Sequence, residues 1–175
     1  MRKVWNLVTT LILAVMILII GVIYLPKFIG FEPMVVLSGS MEPTYHTGSL
    51  LYIKHVDQTD IEVGDVITFY IDVDTLVTHR VIDIDAENST YSTKGDANEI
   101  ADNNAVSYGD ILGEPVFNIP KLGYLAQKLS GISGKIIYGT VVVVVLILMF
   151  LGDIVFSNKK EDQEEIDDDI KEIQD

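Results

Sequence analysis

The stretch Ser38-Gly39-Ser40-Met41-Glu42-Pro43-Thr44 carries the residue types that acyl transfer needs. It follows a short apolar run, Met34-Val35-Val36-Leu37, that reads as a strand, and it ends in a proline-containing turn. A small Ser-Gly-Ser at the end of a strand lets a hydroxyl stand clear of the sheet while neighbouring N–H groups stay free. A nucleophilic serine requires both features, access for its oxygen and donors for the oxyanion. Taken alone, the same cluster is more often just a turn. Serine is also a poor nucleophile until a base removes its proton, and imidazole has a suitable pKa near neutrality.

The soluble part of the chain holds three histidines, His46, His55 and His79. His79 lies inside a strand-like run, Val77-Thr78-His79-Arg80-Val81-Ile82, where a lone histidine is usually structural. Carboxylates follow in Thr93-Lys94-Gly95-Asp96-Ala97-Asn98-Glu99-Ile100-Ala101-Asp102. Serine, histidine and aspartate in that chain order can meet as nucleophile, base and orienter, because unrelated folds use different orders. There are no cysteines, which removes a thiol nucleophile, a disulfide framework and a Cys-ligated metal. The net charge of −14 gives no basic face for nucleic acid, and much of it sits in the last fifteen residues.

These groups must be positioned by a small domain held at a membrane. Residues 7–25 are almost wholly apolar, long enough for a bilayer, which needs about 20 residues. A cleaved signal peptide would have an apolar core of roughly 7–15 residues and a small-x-small site. Here the run is longer and leads into Tyr24-Leu25-Pro26-Lys27 without such a site, so a retained anchor is expected. Residues 136–156 form a second aliphatic run, read as a second transmembrane helix. Arg2 and Lys3 before the first span, and Lys159 and Lys160 after the second, put residues 1–6 and 157–175 in the cytoplasm. The acidic tail, 157–175, is expected to be solvated or disordered rather than built on its weak Ile166, Ile170, Ile173 stripe.

Between the spans, residues 28–130 read as a mostly antiparallel β domain. Strand-like runs begin near Val35, Leu50, Val66, Val77, Thr90 and Ile111, punctuated by Gly48, Gly64-Asp65, Gly95-Asp96 and Gly109-Asp110. Leu122, Leu125, Ala126 and Leu129 have helical spacing, which suits either an interfacial helix or one packed on the domain.

Four stretches of the sequence occur together: S-G-S-M-E-P-T at Ser38–Thr44, G-D-V-I at Gly64–Ile67, T-H-R-V at Thr78–Val81, and T-K-G-D-x-N at Thr93–Asn98 followed by Asp102. In this order and spacing the chain resembles the type I signal peptidases of the Ser-His branch, over roughly residues 33–117. The resemblance implies an antiparallel β catalytic domain of signal-peptidase type between two transmembrane helices. It implies a serine endopeptidase that cleaves signal peptides from preproteins at the bilayer, with small residues at the first and third positions before the cut. By position, Ser40 is similar to the nucleophile and His79 to the base, where the other branch has a lysine. Asp102 matches the third member. Asp96 is also a motif position, and which carboxylate touches His79 is open at this stage, with Asp102 preferred and Asp96 expected to brace its loop. Ser38 and the backbone N–H of Ser40 match the oxyanion positions. The resemblance implies no metal and no organic cofactor, and it does not decide whether an accessory subunit is needed. The alternatives are a peptidase of the same fold dedicated to a few surface or matrix proteins, a self-cleaving serine protease of related fold, and a silent membrane-anchored β binding module.

The flanking basic residues generate a first test. A C-terminal tag is expected to survive protease added to intact cells or right-side-out vesicles. Cleavage of that tag from outside would reverse the orientation.

Overall fold

The computed structural model describes the backbone of residues 2–174 and the side chains of residues 3–152 and 154. The elements in chain order are α1 (Arg2–Tyr24), a 3-10 turn (Leu25–Ile29), β1 (Phe31–Val35), β2 (Leu50–Lys54), β3 (Val66–Asp72), β4 (Thr75–Asp85), β5 (Thr90–Lys94), β6 (Val106–Ser107), β7 (Ile111–Ile119), α2 (Leu122–Ser130) and α3 (Ile132–Gln174). They divide into two compact units. One holds residues up to Gly21 and from Ile132 onward; the other runs Val22–Gly131.

The second unit is one seven-stranded sheet in the order β1-β2-β7-β3-β4-β5-β6, antiparallel throughout. The expected mostly antiparallel β domain is therefore present. Alternating burial in β5 turns Tyr91 and Thr93 inward, as a pleat with one buried face requires. The core behind β3, β4 and β5 is Ile61, Ile67, Phe69, Val81, Tyr91, Val106 and Ile111. Each large apolar side chain there contributes roughly 1.5–3 kcal/mol by leaving water. In β2 the run Leu50-Leu51-Tyr52-Ile53 is buried without alternation, because the strand is covered on both faces. Helix α2 packs on β1 and β2, with Ala126 buried and the Tyr124 hydroxyl donating to the Thr47 carbonyl at 3.3 Å. Of the two readings of this helix, the packed one matches the observed contacts.

One strand differs in its bounds from the expectation, and one strand was not expected. The strand read at 34–37 runs instead from Phe31 to Val35. Beyond it, Val36 leaves the β2 ladder and bonds across the turn, donating to Ser49 O at 3.0 Å and accepting from Gly48 N at 2.8 Å. The two-residue β6 is too short to show any periodicity. In addition, the backbone of the acidic tail continues α3 to Gln174. No glycine or proline lies between 153 and 174 to stop a helix, and Asp167 and Lys171 have the i,i+4 spacing that supports one.

Among the described residues two helices are long and apolar enough to cross a membrane, Lys3–Ile29 counted with its 3-10 turn and Ile132–Gly152. Only 11% and 6% of their apolar windows are buried, so they are not core helices of a soluble protein. They mark a membrane protein. They pair through polar tips rather than apolar burial. The Trp5 indole donates to Leu148 O at 3.1 Å and the Tyr138 hydroxyl to Met16 O at 2.7 Å. A side chain on Gly152 would strike the Trp5 ring, so a small residue is what admits the indole.

Strand β7 serves two partners. Ile111 and Gly113 pair with β3, and residues from Glu114 onward pair with β2, with irregular register on both sides. At that crossover Gly113 has φ +149, and a Cβ there would lie 2.0 Å from Lys54 O. Backbone cannot rotate away as a side chain can. Gly113→Val is therefore expected to destabilise the β domain by at least on the order of 1–3 kcal/mol from strain alone. A thermal melt of the detergent-solubilised protein checks this, and an unchanged midpoint would contradict the crossover geometry.

Candidate active site

The pleat of β4 decides what surrounds the site. His79 and Val81 face inward, with His79 only 8% exposed, while Arg80 between them faces the other way. The segment after β5 supplies a carboxylate to each side. Asp102 Oδ2 lies 2.6 Å from His79 Nδ1, and Asp96 takes the Arg80 guanidinium on two nitrogens, Nε at 2.8 Å and Nη2 at 2.7 Å. The structure thus pairs Asp102, not Asp96, with the imidazole. A carboxylate only accepts, so Nδ1 carries a proton, and in the neutral ring the lone pair is on Nε2.

Asp102 is itself held. Its backbone N–H donates to Thr93 O at 2.8 Å, and the Thr93 hydroxyl donates to Oδ2 at 2.6 Å. Asp96 reaches toward the serine turn. The Thr44 hydroxyl donates to Asp96 Oδ2, and the Ala97 N–H donates to Ser40 O at 2.9 Å. Gly95 allows this approach, since a Cβ there would lie 2.6 Å from Ser40 O. Arg80 also donates to Gly64 O at 2.7 Å, which ties in the Gly-Asp turn before β3.

The serine turn is compact. Glu42 N donates to Gly39 O at 3.0 Å and Tyr45 N to Met41 O at 2.9 Å, with Met41 buried beneath as an anchor. Ser40 Oγ and Ser38 Oγ are 3.3 Å apart. The Ser40 N–H donates to no protein acceptor among the described residues. Ser38, Ser40 and His79 all line one cleft of about 690 Å³. One wall is Met34 to Leu37, the end of β1 and the two residues beyond it, and the other is Leu76 to Thr78 on β4. The other two histidines lie elsewhere, His46 paired with Glu42 on the surface and His55 beyond the end of β2. Among the described residues no cluster of His, Cys, Asp and Glu could hold a metal ion.

The motifs assign no role to Arg80, Thr44 or Thr93. Arg80 stands in the T-H-R-V stretch beside His79, and alternation along a strand is the signal that could have found it. The Thr93–Asp102 bond joins a strand to a loop and leaves no local pattern.

A family model described as signal peptidase, peptidase S26, matches residues 6–95, just over half of the chain. Signal peptidase I W of Bacillus subtilis (strain 168) is 39% identical over 117 residues, 61% of this chain and 62% of that protein. The signal peptidase complex catalytic subunit SEC11C of Homo sapiens is 33% identical over 101 residues, 51% of this chain and 53% of that one. SEC11 of Fusarium vanettenii is 35% identical over 108 residues, 55% and 63%. The chain thus spans roughly half to three-fifths of the curated relatives it matches. The family model takes in Ser38, Ser40 and His79 but stops at 95, before Asp96 and Asp102.

The Arg80–Asp96 pair generates a prediction about acid stability. Hydrogen bonds from the Arg80 guanidinium hold the Asp96 carboxyl below the usual carboxylate range, against burial, which pushes it up, with the Thr44 hydroxyl adding to the lowering. A group whose folded pKa is depressed stabilises the fold above its unfolded pKa, about 3.9, and that contribution is lost as pH falls through the lower folded value. Asp96→Asn is expected to lower stability at pH 7 on the order of 1–3 kcal/mol, since it leaves a part-buried guanidinium unpaired. It should also flatten the loss of stability below about pH 4. Melting curves of both proteins across pH 2–7 check this, and parallel curves would remove Asp96 from the linkage.

Proposed function

The chain belongs to the signal peptidase family, peptidase S26, and on that premise we propose that it is a membrane-bound serine endopeptidase that removes N-terminal signal peptides from exported proteins. The observation that carries this reading is the Nδ1 contact of His79 with Asp102, because it leaves Nε2 basic beside the cleft that Ser40 lines.

Ser40 Oγ attacks the scissile carbonyl carbon while its proton passes to His79 Nε2. Asp102 holds the proton-bearing Nδ1 and stabilises the imidazolium. The negative oxygen that forms is met by the free Ser40 N–H and by the Ser38 hydroxyl, both at the same turn. His79 then hands its proton to the leaving amine as the C–N bond breaks, and the signal peptide remains as a Ser40 ester. Water loses a proton to Nε2, its oxygen takes the carbonyl, and the ester bond breaks with return of a proton to Ser40. Asp96 takes no part in proton transfer in this scheme. It positions the turn that carries Ser40 relative to β4 through Arg80, Thr44 and the Ala97 N–H.

The cleft suits an extended peptide, with one wall on each side and chain running along both. Substrates are preproteins bearing signal peptides, with small residues at the first and third positions before the cut. Ser40 is about fifteen residues past residue 25, so it stays within about 50 Å of the membrane even on a fully extended chain. The β domain lies outside the cytoplasm and both ends of the chain lie inside, in line with the basic flanks.

Substitution of the reacting groups tests the mechanism. Ser40→Ala and His79→Ala are each expected to lower cleavage of a signal-peptide substrate by several orders of magnitude, with the melting temperature retained. Ser38→Ala should lose roughly 10²–10³-fold in kcat if its hydroxyl meets the oxyanion. Cleavage by purified Ser40→Ala at the wild-type rate would end the serine-peptidase reading.

A further inference from the structure

We propose that Thr93 is a positioning residue of the proton-transfer machinery, a fourth member that fixes the carboxylate of Asp102 and through it the ring of His79. This rests on the roles given above to His79 and Asp102. The placement follows from strand register. Val81 on β4 pairs with Thr93 on β5, so Thr93 shares the inward face with both Val81 and His79. Thr93 is fully buried, so its hydroxyl needs a protein partner. That hydroxyl has one proton, and it donates it to Asp102 Oδ2 at 2.6 Å. The same oxygen faces His79 Nδ1, also at 2.6 Å. A return bond, Asp102 N–H to Thr93 O at 2.8 Å, closes a two-point clamp between the strand and the loop.

The need for such a clamp is physical. Asp102 lies outside the strands, with its neighbours Ala101 and Asn103 exposed. A carboxylate on a loop turns about two side-chain torsions, and a backbone bond alone restrains neither. With the Thr93 bond in place, Oδ2 is held from a paired strand. Threonine does this better than serine would, because its β-branch restricts χ1 and so aims the hydroxyl. Arg80 and Asp96 act on the opposite face and meet the serine turn at Thr44 instead. The base and the nucleophile therefore have separate supports.

Valine has the shape of threonine without the hydroxyl, which makes Thr93→Val the informative change. In the full chain in detergent micelles, it is expected to lower kcat on the order of 10–100-fold, the range of a lost hydrogen bond to a charged group. KM for a signal-peptide substrate should stay within about twofold, because Thr93 does not line the cleft. Thr93→Ser should recover most of the rate, and the melting temperature of Thr93→Val should stay close to that of the parent. Independently of cleavage, proton NMR of the parent should show a downfield His79 Nδ1–H signal that broadens or vanishes in Thr93→Val. A Thr93→Val enzyme with parental kcat overturns the proposal. So does a Thr93→Ser enzyme as slow and as unstable as Thr93→Val, which would make the role one of packing. If the parent itself cleaves no peptide, the proposed function fails, and the NMR signal then decides the clamp alone: loss in Thr93→Val keeps it, persistence removes it.

Discussion

Two neighbours on one strand set the problem that the rest of the β domain solves. His79 and Arg80 must face opposite ways because a strand alternates. One is a largely buried imidazole and the other a half-exposed guanidinium, and each needs an anionic partner. A single short segment after β5 provides both, Asp96 at its start and Asp102 at its end. Neither aspartate can take over the other's partner without crossing the strand. The pairing is therefore a consequence of pleat and loop length, not of any difference between the two carboxyl groups.

The same segment then links every part of the site. It meets the Ser40 turn through Ala97 and Asp96, the turn before β3 through the Arg80 contact with Gly64, and β5 through Thr93. Gly95 is needed where its backbone lies against Ser40 O, and Met41 anchors the turn from below. Thus the serine turn, the base strand and the orienter come from sequence positions far apart and meet at one loop. Hydrogen bonds to ionised groups are the stronger class, and here they tie the loops to paired strands.

The membrane unit obeys a different rule. Lipid offers apolar side chains nothing that a neighbouring helix does not, so burial gives little reason to pair. The observed contacts are accordingly an indole and a phenol hydroxyl reaching backbone carbonyls, with a glycine making room for the indole. This also accounts for the near absence of burial along both apolar runs.

Much of the molecule is legible in the sequence. The two apolar helices follow from run length, and five of the six expected strands follow from β-rich runs between Gly-Asp turns, because those signals are local. The serine, the histidine and the candidate aspartates were visible as residue types in motifs. What the sequence alone determined was therefore the class of element and the set of chemical groups. The end of β1 and the existence of β6 were not readable, since a two-residue strand has no period. Between Asp96 and Asp102 the motifs gave only a preference, for Asp102, which the contact with His79 matches; the parts played by Arg80 and Thr93 were not readable. Each depends on which face of a strand a residue occupies and which strand lies beside it. Only tertiary structure decides that, because strand register and loop closure join residues that no short-range pattern relates.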